Sequence, residues 1–158
     1  MTRYLGLMCS AIAAAGLLAG AAIPALADTP GNASGTGTLT FTPNGPPRFA
    51  DGNVIIDATL KGTIGGTLSG TWSEQAIEVF HPDGSATAHA MGTFNVTTPC
   101  GAGSFDFSLE GQQASPTSSL SGHFRSIETS SNRALIHIVV TFTVVSGSSF
   151  VYSGGFSC

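Results

Sequence analysis

Between Asn53 and Thr97 apolar and polar residues alternate along three segments joined by two glycine-bearing turns, and this period of two limits the chain to strands with one buried face. In the first segment Ile56, Ala58, Leu60 and Ile64 fall on one side, and Asp57, Thr59, Lys61 and Thr63 on the other. Gly65-Gly66 suits the positive φ of a two-residue hairpin turn. The next segment, Thr67 to Phe80, directs Leu68, Gly70 and Trp72 inward. In His81-Pro82-Asp83-Gly84-Ser85, Pro and Asp stand where a type I turn wants them and Gly where the following left-handed residue sits. A three-residue loop then pairs His81 with Ser85, which sets Trp72 opposite Phe94 and Gly70 opposite Val96. The third segment independently asks for that register, because Ala86, Ala88, Ala90, Gly92, Phe94 and Val96 all lie on its even face.

The remaining strands are shorter or less regular. Thr38 to Thr42 alternates and reads as a first strand, stopped by Pro43-Asn44-Gly45-Pro46-Pro47. After Pro99-Cys100-Gly101, a fifth strand from Ser104 to Glu110 sets Phe105, Phe107 and Leu109 against Asp106, Ser108 and Glu110. A sixth, Ser119 to Glu128, directs Leu120, Gly122 and Phe124 inward, and Thr129 to Arg133 turns the chain. Ala134 to Val145 is rich in β-branched residues and reads as a seventh strand, followed by an eighth from Phe150 to Phe156. The expected fold is all-β: one eight-stranded, antiparallel, mostly up-and-down barrel, whose closure removes free edges. A β-sandwich is the alternative, disfavoured because nearly every connection is short enough to be a hairpin.

Residues 1–27 stand outside this pattern. Arg3 precedes an Ala/Leu/Ile-rich run that ends in Ala25-Leu26-Ala27, the form of a secretory signal peptide with a small-residue cleavage site. Pro24 interrupts the run and no basic cluster follows it, so no membrane association is expected once the signal is removed, and the expected location is extracellular. Cleavage removes Cys9 and Arg3 and leaves 131 of the 158 residues, enough for one domain. Residues 28–37, rich in Thr, Gly, Ser and Asn, read as a flexible leader, and 38–158 as the barrel domain. Four cations then face nine carboxylates without clustering, which excludes nucleic acid as a partner. Cys100 and Cys158 remain, an even count that in an oxidising compartment implies a disulfide.

Little in the sequence carries chemistry. No Ser-His-Asp order, G-x-S-x-G elbow, phosphate-binding glycine loop or metal-ligand cluster is discernible, so no catalytic residue, metal or cofactor is assigned. His89, His123 and His137 fall on outward positions, with His123 and His137 expected as diagonal neighbours, and His81 flanks a turn. Asn32-Ala33-Ser34 and Asn95-Val96-Thr97 match the N-glycosylation pattern. Gly70-Thr71-Trp72 resembles the G-x-W signature of calycin barrels, the lipocalins and avidins. The longer order Gly-Thr-Trp-Ser-Glu, then Phe80-His81-Pro82-Asp83-Gly84, then a cysteine near the fifth strand, resembles small secreted bacterial barrels of uncharacterised function. These are similar in architecture to allene oxide cyclase and dirigent-like barrels. The resemblance implies a barrel over roughly residues 38–158 and transfers no catalytic residue.

The candidate ligand-binding residues are Trp72, Glu74, Glu78, Phe94 and Tyr152. If the third strand keeps the register of Trp72, Glu74 and Glu78 point inward opposite Gly92 and Ala88, small residues that leave room for a ligand or water. A β-bulge between Ser73 and Ala76 turns Glu74 or Glu78 outward and buries Ile77 and Val79 instead. A lone buried carboxylate is costly, so the bulge is the favoured expectation. The function expected is a secreted barrel that binds a small apolar ligand or a partner surface. The alternatives are a cyclase or isomerase using an inward Glu74, and a structural protein with a barrel filled by side chains.

Overall fold

The computed structural model describes residues 30–127 and 136–158. The expected signal peptide with Cys9, the expected turn at 129–133 and the adjoining ends of the expected sixth and seventh strands lie outside them. Alternation becomes ten antiparallel strands: β1 (Gly31–Thr38), β2 (Thr40–Pro43), β3 (Arg48–Ala50), β4 (Asn53–Gly66), β5 (Ser69–Phe80), β6 (Ala86–Thr98), β7 (Gly101–Gln113), β8 (Ser121–Ile127), β9 (His137–Ser146) and β10 (Ser149–Ser157). Their order is β1-β10-β9-β8-β7-β6-β5-β4-β2, and β1 also pairs with β4, so the sheet closes on itself. Along β4 the partners run without a slip from Gly35 opposite Gly66 and Gly37 opposite Ile64 to Thr40 opposite Lys61. β1 and β2 are therefore one stave interrupted at Leu39, whose N–H donates to the Ser148 carbonyl at 2.9 Å. With β4 to β10 it completes an eight-stranded barrel, and the sandwich alternative is set aside. β3 is a short flap on the start of β4.

Two sequence-based expectations need correction. From Gly31 onward the supposed leader is the strand that closes the barrel. It looks featureless because it receives side chains instead of supplying them: a Cβ on Gly37 would lie 2.1 Å from the Phe150 ring, and one on Gly35 2.6 Å from the Tyr152 hydroxyl. Nor do Gly65 and Gly66 turn the β4–β5 hairpin. They stay in β4 opposite Thr36 and Gly35, and a Cβ on Gly66, whose φ is +103°, would come within 2.3 Å of the Ser34 carbonyl. The chain turns after them, at Thr67 and Leu68. The β5–β6 turn is as read, with the His81 N–H donating to the Ser85 carbonyl at 2.8 Å and Asp83 Oδ1 accepting from the Ser85 N–H at 2.9 Å.

Inward residues divide the barrel lengthwise. At the end holding the β4–β5 and β6–β7 turns, the interior is packed by Leu68, Val96, Phe105, Ile136, Ile138 and Tyr152, all buried. The Tyr152 hydroxyl accepts from the Leu68 N–H at 3.0 Å and donates to the Gly65 carbonyl at 3.2 Å. A disulfide joins Cys100, in the β6–β7 turn, to Cys158 beyond β10, with the Cα atoms 5.5 Å apart. It links staves that are not neighbours in the sheet and ties this end shut. The other end, with the 81–85 turn, the 114–120 loop and the turn at 147–148, is the one that leads to the site.

Candidate functional site

The third strand carries no bulge. Across β5 and β6 the register runs unbroken through Trp72 opposite Phe94, Glu74 opposite Gly92, Ala76 opposite Ala90 and Glu78 opposite Ala88. The bulge expectation is thus overturned, and both carboxylates point into the barrel. Continuous pairing with β4 on one side and β6 on the other holds the strand straight, and a bulge would break both ladders. The cost is accepted on both faces: Glu74 is only 5% exposed, while Ile77 is left 47% exposed on the outer surface. Gly92 makes the inward placement possible, since a Cβ there would lie 2.6 Å from the Glu74 Cβ.

Glu74 and Glu78 line a cavity of about 340 Å³ in the open half of the barrel. Phe94, Phe107 and Phe124 form its floor, with ring centroids 4.2 Å apart for Phe94 and Phe107 and 5.2 Å for Phe94 and Phe124. Trp72 forms one wall, its ring edge-on to Phe150 at 5.8 Å. Its indole N–H reaches the carbonyls of Thr38 and Thr63 at 3.2 and 3.3 Å, so the polar edge is satisfied while the ring faces the cavity and the closing strand is pinned to β4. Toward the mouth lie Leu39, Phe41, Phe80 and Val144, with Phe41 36% exposed at the rim.

The electrostatics are those of an apolar chamber holding two acids. Burial pushes the Glu74 carboxyl up to about 8, and the neighbouring Glu78 adds to the rise. Burial also raises Glu78, which is only half-buried nearer the mouth. The Glu74 Oε2 atom is buried and, among the described residues, has no hydrogen-bond partner. A carboxyl in this state is largely protonated at neutral pH and can donate a hydrogen bond or a proton.

Of the five candidate binding residues, the structure brings Trp72, Glu74, Glu78 and Phe94 together around the cavity. Tyr152 stands apart: it packs in the closed half, 6.0 Å from Phe124 between ring centroids, with its hydroxyl engaged by backbone. Burial raises its pKa. Lining residues missed from sequence include Phe107, Phe124, Phe142 and Phe150. Their inward alternation was the available signal. The histidines stay outside: Thr141, not His137, lies beside His123, and Glu110 separates His123 from His89 on the outer face. Among the described residues no three His, Cys, Asp or Glu side chains lie together as a metal ion requires. His81 instead ties its turn to the start of β4, with Nδ1 3.0 Å from Asn53 Oδ1.

No known protein family matches the sequence, and no curated protein does. The fold is similar to the crystal structure of a protein of unknown function from the DUF3224 family of Shewanella oneidensis MR-1, with a TM-score of 0.63 and 19% identity. The match covers 82% of this chain and 97% of that one, and at this identity it speaks for the barrel alone.

Proposed function

We propose that this chain is a secreted barrel that takes up a small apolar ligand through its open end. The observation that carries the reading is the cavity of about 340 Å³ beside a fully packed half, walled by aromatic rings and within the size range of small-ligand sites. A barrel built only as a scaffold has no reason to leave one half unfilled, since each void forfeits packing. Secretion is supported by the hydrophobic leader and by the Cys100–Cys158 bridge, which persists in oxidising compartments. The test is uptake of the neutral dye N-phenyl-1-naphthylamine. Fluorescence should rise to saturation at one dye per chain, and Ala88→Trp, which fills the cavity from β6, should abolish the rise while the β-sheet circular dichroism persists. A linear, unsaturable response would favour the filled-barrel alternative.

One observation favours a second reading as a cyclase or isomerase, in the manner of the allene oxide cyclase barrels. Glu74 holds its proton near neutrality within a chamber that shapes an apolar substrate. That reading requires turnover, and Glu74→Gln would abolish it.

A further inference from the structure

We propose that the cavity selects hydrophobic amines: molecules with an aromatic or aliphatic body of about a dozen heavy atoms and one ammonium group that seats against Glu74 with Glu78 beside it. The inference rests on the ligand-binding reading above and adds the chemical class. Its starting point is an imbalance. Two carboxyl groups enter the cavity and, among the described residues, no Lys, Arg or His lines it. The side chains that face Glu74 from β2, β4 and β6 to β10 are all aliphatic or aromatic. The described Lys and Arg side chains are elsewhere: Arg48 bonds Asp57 on the outer surface at 2.8 Å, and Lys61 and Arg125 occupy exposed outward positions.

Each ligand class meets this arrangement differently. A fatty acid or other anion would enter an apolar chamber that offers it two carboxyl groups and no counter-charge, so anions are rejected. A neutral ligand can accept one hydrogen bond from a protonated Glu74 but brings no charge that would let both carboxyls ionise. An ammonium group has three donors and one positive charge. It supplies the partner that Glu74 Oε2 lacks, it offsets both acids, and the faces of Trp72 and Phe94 attract it further. The apolar body then occupies the aromatic floor.

Binding also moves a proton. Below the pH at which Glu74 ionises, the ammonium replaces the carboxyl proton, which passes to solvent, so the complex holds a carboxylate paired with a cation. Burial pushes Glu74 up to about 8, so amine affinity should climb up to tenfold per pH unit from pH 6 toward 8 and then level off. Glu78, raised in the same direction by burial, is the other titrating group that lines the site.

The experiment compares 4-phenylbutylamine, 4-phenyl-1-butanol and 4-phenylbutyrate, three ligands with one body and different heads, by isothermal titration calorimetry. At pH 8 the amine should bind at least about tenfold more tightly than the alcohol, and the acid should show no heat of binding. At pH 6, repeating the titration in buffers of different ionisation enthalpy should count close to one proton released per amine and none per alcohol. Glu74→Gln should bring amine and alcohol to within about twofold of one another. Should that variant fail to fold, the proton count on the unaltered chain still decides. Equal affinity for alcohol and amine without proton release overturns the amine inference and leaves ligand binding standing. Failure of all three ligands together with failure of dye uptake overturns both.

Discussion

Along β6 the inward face reads Ala86, Ala88, Ala90 and Gly92 in the open half, then Phe94 and Val96 in the closed half. Where the small residues stand, the opposing strand carries Glu78 and Glu74 and a cavity remains; Phe94 closes it from below, meeting Phe105 and Phe107 at 5.3 and 4.2 Å, and Val96 beyond it is buried. The strands are the same and so is their register, so the difference is one of side-chain volume alone. Closure supplies a frame of fixed diameter. Each half is then filled or left open according to residue size, and the half left open is where the buried carboxyl has no partner. The disulfide and the side-chain packing around Leu68 and Tyr152 lie at one end, and the cavity at the other.

The sharpest way to break this comparison is to remove volume from the packed half. Phe94→Ala should lower unfolding stability by about 3–5 kcal/mol, because its ring touches three others and neighbouring strands prevent collapse into the void. Urea denaturation measures it, and a loss under about 1 kcal/mol would show that the floor is not packed as described. Reducing the disulfide should cost roughly 4 kcal/mol on the chain-entropy account for a separation of 58 residues, without emptying or filling the cavity. Denaturation with and without a reductant, followed by dye titration of the reduced protein, separates stability from binding.

Glu74 sharpens the comparison through pH. Its carboxyl ionises at about 8 in the folded chain, against an ordinary value of 4.5. Below 4.5 both states hold the proton and burial carries no ionisation penalty. As pH rises toward 8 the unfolded chain has released a proton that the folded chain keeps, so stability falls by up to about 1.4 kcal/mol per pH unit. Glu74→Gln should remove most of that slope, matching the parent near pH 4.5 and exceeding it at pH 8 by on the order of 4 kcal/mol. Parallel stability curves for the two proteins between pH 5 and 8 would show that Glu74 is not desolvated. The smallest effect is expected at the rim. Phe41→Ala removes a ring already 36% exposed and should change stability by less than about 1 kcal/mol, yet weaken dye uptake severalfold by opening the mouth to water.

Much of this architecture was legible in the residues themselves. Alternation around Trp72 and the Pro-Asp-Gly turn set the β5–β6 pairing in advance, because side-chain period and turn length are both local properties. The pairing of Cys100 with Cys158 followed from there being two cysteines beyond residue 27. Three features waited for the tertiary structure. Gly31 to Gly37 gave no sign of a strand, because its burial comes from Phe150 and Tyr152, far away in sequence, leaning over its glycines. Glu74 looked too costly to bury, and a local argument favoured a bulge. The ladders to β4 and β6 on both sides outweigh that cost, and the site's chemistry follows from their doing so. The cavity, last, depends on the volume enclosed by eight staves at once, a sum over strands that no single stretch of sequence contains.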